Sequence, residues 1–100
     1  MSQASLSGNQ LSLSGVLDYR SANEVLAQAR VLIAGLSPAQ ELIIDCQQVE
    51  KSSSVGVALL LALLRSARQQ QLEARIINLP PEMQKIAQVS ELLPILTADA

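Results

Sequence analysis

The amino-acid sequence predicts an α/β domain in which helices return successive strands into one small sheet. Three observations carry this. Apolar and polar residues alternate from Leu11 to Leu17, the period-two pattern of a half-buried strand. Two short apolar runs, Leu42-Ile43-Ile44 and one around Ile76-Ile77, are the kind of segment that forms buried strands. Segments of helical composition or period lie between and after them, giving the order β β α β α β α. One hundred residues is the size of one domain, so the whole chain, 1–100, is expected to share one core.

The elements follow in order. Gly8-Asn9 suits a tight turn, so Ala4–Ser7 is expected to pair as a hairpin with the strand over Leu11–Leu17. Ser21-Ala22-Asn23-Glu24 has the Ser-x-x-Glu spacing of a capping box, in which the two side chains satisfy free backbone N–H groups at a helix start. Val25, Leu26, Ala29, Leu32, Ile33 and Leu36 then recur on one helical face. Gly35 suits a left-handed cap, and Pro38 cannot continue the helix. Leu42–Ile44, ending at Asp45, is expected to be a central parallel strand. Polar residues Gln47, Gln48, Glu50, Lys51 and Ser52–Ser54 follow and read as a loop, after which Ala58–Gln70 is composed almost entirely of strong helix formers. The strand around Ile76-Ile77 stops at Pro80-Pro81, and the proline pair with Glu82 suits the next helix start. Met83, Ile86, Ala87 and Ser90 share a face of that helix. Leu92, Leu93, Ile95 and Leu96 form a last apolar cluster interrupted by Pro94.

Composition excludes several chemistries. The chain has no His, hence no imidazole base, proton shuttle or zinc ligand. Cys46 is the single thiol, so no internal disulfide forms, a reducing compartment is expected, and the apolar neighbours of Cys46 place it in the core. Asp18, Asp45 and Glu50 have no His, Lys or Cys set beside them by a motif, and no glycine-rich phosphate loop occurs. No enzyme activity, metal or cofactor is expected. A net charge of −2 with scattered Lys and Arg argues against nucleic acid as a partner. The start of the chain does not have the pattern of a secretory signal. The longest apolar run, Val55–Leu64, is about half of what a spanning helix needs, so no direct membrane insertion is expected. Nearly half the residues are hydrophobic, yet Phe and Trp are absent and Tyr19 is the one aromatic. The core must be built from aliphatic side chains.

Three blocks carry a family resemblance. Leu13-Ser14-Gly15-Val16-Leu17-Asp18, followed by the Ser21–Val25 helix start, resembles the opening of STAS domains, the sulfate-transporter and anti-sigma-factor-antagonist modules. Leu42–Asp45 resembles that family's central strand, and Ser53-Ser54-Val55-Gly56-Val57 falls where the family carries Asp-Ser/Thr-x-Gly-Leu before its longest helix. Val89-Ser90-Glu91-Leu92-Leu93 resembles the family's C-terminal end. The resemblance implies a small mixed four-stranded sheet with helices packed on it. It places Ser54 at the Ser or Thr that kinases phosphorylate in anti-sigma-factor antagonists, a possible phosphoacceptor, and Gly56 at the family's patterned glycine. Ser53 replaces the usual Asp, and Val55 stands where many members have a small residue. Within the family the chain is most similar to the small STAS subunits of bacterial phospholipid-trafficking ABC transporters, which maintain outer-membrane lipid asymmetry. That similarity implies a cytoplasmic protein, peripheral at the inner-membrane cytoplasmic face, with the transporter's ATPase subunit as its partner.

The expected docking surface is the corner Ser52, Ser53, Ser54, Val55, Gly56, extended by Leu60 and Arg65 of the following helix. One of the three serines is expected to cap that helix, while others present hydroxyls to a partner. Gly56 weakens the helix relative to alanine by about 1 kcal/mol; close packing on the domain's own sheet and close approach of a partner both explain it. Val57, Leu59, Leu60, Leu61, Leu63 and Leu64 cover more than the one face a small sheet needs, leaving leucines for a neighbouring helix or a partner. Arg65 and Arg68 suit either solvent or acidic groups across an interface. The resemblance leaves three functions open: a constitutive subunit of the transporter ATPase, an anti-sigma-factor antagonist released by phosphorylation of Ser54, and a small-ligand-binding STAS module, for which the sequence shows no polar pocket.

Overall fold

Gly8, with φ of 61°, turns the chain between β1 (Gln3–Ser7) and β2 (Gln10–Leu17), which pair antiparallel from Gln3 opposite Ser14 to Ser7 opposite Gln10. The structure, a computed structural model, describes residues 2–89. Ser90, the cluster Leu92, Leu93, Ile95 and Leu96, and the Ser90–Leu93 part of the family resemblance lie outside the described residues. Leu11, Leu13, Gly15 and Leu17 are buried, as the alternation along β2 requires. The remaining elements are α1 (Ala22–Ile33), β3 (Glu41–Ser52), α2 (Ser54–Gln69), β4 (Glu73–Ile77) and α3 (Pro81–Val89). The sheet order is β1-β2-β3-β4, with β3 parallel to both β2 and β4. This is the mixed four-stranded sheet that the family resemblance implies.

Aliphatic packing closes the core. Leu11, Leu13, Leu17, Leu42, Ile44 and Cys46 of the strands meet Val25, Ala29 and Ile33 of α1, Leu60 and Leu63 of α2, and Met83 and Ala87 of α3. Burial pushes the Cys46 thiol up to about 12, and the neighbouring Asp45 carboxylate adds to the effect. The protonated thiol is therefore a packing group.

Four expectations need correction. First, β3 continues to Ser52 through residues read as a loop. Gln48, Val49, Lys51 and Ser52 pair with Ser14, Gly15, Val16 and Leu17, and two register shifts accommodate extra residues of β3. Gln47, Gln48, Glu50 and Lys51 are all exposed; Gln48 and Lys51 keep their places in the ladder, while Gln47 and Glu50 fall at the two shifts, so polar composition concealed a strand. Second, the run of helix formers from Ala58 understates α2, which begins at Ser54, where the expected serine cap already placed its start. Third, the capping box does not form. Ser21 is the N-cap residue, but its backbone is helical and its hydroxyl caps no N–H of α1. It turns back instead, donating to Val16 O at 2.7 Å and accepting from Asp18 N at 3.1 Å. Fourth, Gly35 has no positive φ; the left-handed residue of that connection is Ala39, at 69°. The end of α1 is covered from α2, because Gln70 Nε2 donates to the carbonyls of Ile33 and Leu36. A tertiary cap makes a glycine cap unnecessary.

Two outcomes follow. Removing the Ser21 hydroxyl leaves Asp18 N–H and Val16 O short of a partner, so Ser21→Ala is expected to cost about 1 kcal/mol. Glu24→Ala is expected to stay within about 0.5 kcal/mol, because no reciprocal box exists. Urea denaturation of both variants checks this; equal losses would restore the capping box. The second outcome concerns Cys46. The unfolded thiol ionises near 9.0, while the folded one keeps its proton to about 12. The unfolded state sheds its proton first, so this group's contribution to stability falls as pH rises above 9. The stability difference between the parent and Cys46→Ala is expected to shrink over that window, and a thiol reagent at neutral pH to modify only denatured protein.

Candidate functional site

The C-terminal ends of β2 and β3 meet where α2 begins, because the N–H of Ser53 donates to Leu17 O at 3.1 Å. Each of the three serines has a different task. Ser52 ends β3 and is buried; its hydroxyl donates to Ser53 O at 2.9 Å, and its N–H points to Glu82 Oε1 of α3 at 3.4 Å. Ser53 is the N-cap in extended conformation, and its hydroxyl accepts from Val55 N at 3.2 Å. Ser54 is the first helical residue and is exposed. The structural duties fall on Ser52 and Ser53.

Gly56 is buried, and its contacts settle why it is glycine. A Cβ there would lie 3.2 Å from Leu17 Cβ and 3.2 Å from Ser52 Cβ, and inside contact distance of Ser52 Oγ. The domain's own sheet occupies the space. Leu60 is fully buried in the core, which corrects its expected place on the docking surface: it lies on the sheet-facing side of α2, with Leu59 and Leu63. Ser52 and Gly56 likewise support the corner from below. The surface residues are Ser53 and Val55, both half-buried, and Ser54, exposed; Ala58 and Leu61 continue this side of α2. Arg65 is exposed but sits eleven positions after Ser54, about 16 Å further along the helix axis.

Residues outside the expected set also reach this edge. The β2–α1 loop, Asp18 to Arg20, leaves this edge directly after Leu17, whose carbonyl accepts from Ser53 N, and α3 contributes Glu82. Loops that follow parallel strands emerge on one edge of a sheet, and that rule was the available signal for grouping them. Of the three carboxylates read as near the loops, Glu50 is exposed on β3, and Asp18 and Asp45 are engaged in hydrogen bonds. Asp18 Oδ1 accepts from Arg20 N at 2.9 Å. Asp45 accepts from Gln47 N, Asn78 Nδ2 and Gln10 Nε2 at 2.9, 3.0 and 3.0 Å, tying β2, β3 and the end of β4 together. Away from the corner, at the far end of α2, an open cleft of about 400 Å³ is lined by Arg30, Ile33, Ser66, Gln69 and Gln70. The corner itself offers a hydroxyl, a half-buried valine and a helix start, which suits contact with a macromolecule.

A mixed sheet layered with three helices, carrying a serine-rich strand-to-helix corner at the ends of its parallel strands, defines a small layered α/β domain. The chain belongs to the STAS family: the family model described as Mlab, STAS domain, matches residues 2–97. STAS domains are generally binding and regulatory units. Among solved structures, the chain is similar to the unphosphorylated anti-sigma factor antagonist SpoIIAA, at 22% identity and a TM-score of 0.72 over 100% of this chain and 88% of the other. It is similar also to an anti-sigma factor antagonist from Mycobacterium paratuberculosis, at 19% identity and a TM-score of 0.68 over 98% and 82%. The phosphorylated form of the Bacillus cell fate determinant SpoIIAA gives 23% identity and a TM-score of 0.66 over 100% and 91%. At these identities the likeness is one of fold. No curated protein gives a significant match. Among the described residues, no helix is long and apolar enough to cross a membrane.

The packing of Gly56 is testable against a second glycine. Gly56→Ala forces Leu17 and Ser52 apart and is expected to destabilise by about 1–3 kcal/mol despite alanine's better helix propensity. Gly35 has open space around its missing Cβ and no positive φ, so Gly35→Ala is expected to be neutral or stabilising by up to about 1 kcal/mol. Thermal denaturation compares the two, and a neutral Gly56→Ala would show that this corner has slack.

Proposed function

We propose that this chain is a non-enzymatic STAS subunit that binds and supports the ATPase subunit of an inner-membrane phospholipid ABC transporter, through the corner formed by Ser53, Ser54 and Val55. The observation that carries the reading is the family match over residues 2–97, to the Mlab branch of STAS domains. The geometry supports it. Ser54 is exposed on a helix start already capped by Ser53, so its side chain is available to a partner at no cost to the fold. In this reading the protein is cytoplasmic, sits at the inner face of the membrane through its partner, and contributes to outer-membrane lipid asymmetry. It uses no cofactor and binds no nucleic acid.

A second reading is favoured by one specific observation. Ser54 is exposed at a helix N-terminus, and structures similar in fold include an anti-sigma factor antagonist in unphosphorylated and phosphorylated forms. In that reading a kinase modifies Ser54 and the added charge releases a partner.

Charge substitution at Ser54 tests the corner. An anion near a helix N-terminus is favoured by the helix dipole, so Ser54→Glu is expected to leave the thermal midpoint nearly unchanged. Burying an unpaired carboxylate against a partner costs several times what one neutral hydrogen bond contributes. Ser54→Glu is therefore expected to weaken binding to the purified ATPase subunit by at least about tenfold, and Ser54→Ala by only about threefold. Unchanged binding of Ser54→Glu would remove the corner from the interface. Phosphate found on Ser54 by mass spectrometry of the native protein, without ATPase binding, would select the second reading.

A further inference from the structure

Tyr19 is the single aromatic of a chain that contains no Phe or Trp, and it is 75% exposed. A tyrosine buries about 150–250 Å² when it is covered, yet the core contains no aromatic ring. Single exposed hydrophobics are ordinary on protein surfaces, and Val31 is such a case: it is also 75% exposed, on the outside of α1. Three features separate Tyr19 from Val31.

The first is bracing. Asp18 O accepts from Ser21 N at 3.1 Å and Ala22 N at 2.9 Å, Asp18 Oδ1 accepts from Arg20 N at 2.9 Å, and the Ser21 hydroxyl bridges Asp18 N and Val16 O. The loop is fixed on both sides of Tyr19, so the ring is presented from a preorganised backbone and loses little freedom on association. The second is Arg20, whose guanidinium carbon lies 5.6 Å from the ring centroid, within cation–π range. Among the described residues Arg20 forms no ion pair, the one such pair being Arg75 with Glu41. The third is position. The hydrogen bond from Ser53 N to Leu17 O ties this loop to the start of α2, and Val16, 37% exposed, stands at the same edge.

We infer that Tyr19 is the anchor residue of the docking surface: its ring enters an apolar slot of the ATPase subunit, and Arg20 meets a carboxylate at the rim of that slot. This inference rests on the proposed function and deepens it by naming the recognition chemistry. Tyrosine and arginine are the residue types that dominate interface energetics, above all at preorganised, water-excluded positions. The positive charge of Arg20 selects an acidic rim, and the exposed ring selects an apolar centre.

The test measures binding of the parent chain, Tyr19→Ala, Tyr19→Phe, Arg20→Glu, Val31→Ala and Ser54→Glu to the purified ATPase subunit. Tyr19→Ala is expected to weaken binding by about thirtyfold or more, the size of an interface hot spot, with Tyr19→Phe within about threefold of the parent. Arg20→Glu is expected to weaken it by about tenfold, and Val31→Ala to leave it unchanged. The thermal midpoint of Tyr19→Ala is expected to match the parent's, since the ring supports no core contact. Parent-like binding by Tyr19→Ala alongside weak binding by Ser54→Glu overturns the anchor and leaves the proposed function standing. A parent chain that does not bind the ATPase subunit overturns both. Self-association of the parent chain that Tyr19→Ala abolishes, with ATPase binding unaltered, assigns the ring to a second copy of this chain and overturns the inference.

Discussion

The first turn of α2 lies directly against the ends of β2 and β3, and the rest of the structure is arranged around that contact. Ser53 donates to Leu17 O, which closes the sheet ladder, and three residues later Gly56 passes Leu17 and Ser52 with no room for a Cβ. The approach places Leu59, Leu60 and Leu63 on the core leucines of the sheet. It also needs β2 to finish at the right place. Gly15, with φ of 87°, takes a backbone conformation that L side chains rarely adopt, and it sits at a register shift between β2 and β3. Glycine at 15 shapes the strand, and glycine at 56 lets the helix fit against it.

Much of this arrangement was legible in the sequence, for physical reasons that differ between residues. The alternation of Leu11, Leu13 and Leu17 survives folding because β2 has one face on the core and one on solvent. The hairpin at Gly8-Asn9 is local chemistry, as is the start of α3 at Pro81. The course of β3 after Cys46 was not legible. Past Asp45 the strand loses β4 and keeps β2 as its one partner, so Gln47, Gln48, Glu50 and Lys51 can face outward, and composition then resembles a loop. The end of α1 was hidden for a related reason, since the group covering its carbonyls, Gln70, lies 37 residues away from Ile33 in the chain. Ser21 and Glu24 have the spacing of a capping box, but Val16 O and Asp18 N, brought near by the β2–α1 loop, claim the hydroxyl first. Local rules fail here where a distant partner competes.

The candidate site divides in the same way. The motif Ser53-Ser54-Val55-Gly56-Val57 located the corner, because a helix start after a strand is a local event. Which residues face outward depends on how α2 rolls on the sheet, and that rotation is set by Gly56. Ser52, Gly56 and Leu60 consequently lie beneath the surface. What remains exposed of the corner is small. A stable interface takes roughly 800 Å² from each partner, more than Ser53, Ser54 and Val55 present together. Any partner that docks there must also cover neighbouring elements, and the ones at hand are the β2–α1 loop with Tyr19 and Arg20, and the outer side of α2 with Ala58 and Leu61. The sequence contains all these residues, but only the parallel pairing of β2 and β3 makes them neighbours.

The division of labour among the serines bears on how such an interface can be controlled. Ser52 is buried and bonded to Ser53 O, and Ser53 is occupied with the N–H of Val55. A charge on either would break an interaction that the fold uses. A charge on Ser54 would not, since the helix end tolerates it and solvent can screen it. Glu82 at the start of α3 accepts from Ser52 N–H and already supplies one negative charge to this edge. A phosphate or carboxylate at position 54 would add to that charge and make the corner more strongly anionic, while the core beneath stayed as it is. The corner thus separates the two properties a switch must separate, stability carried by Ser52, Ser53 and Gly56, and surface chemistry carried by Ser54. That separation is compatible with a constitutive contact and with a modified one; the two differ only in whether an enzyme reaches Ser54 before the partner covers it.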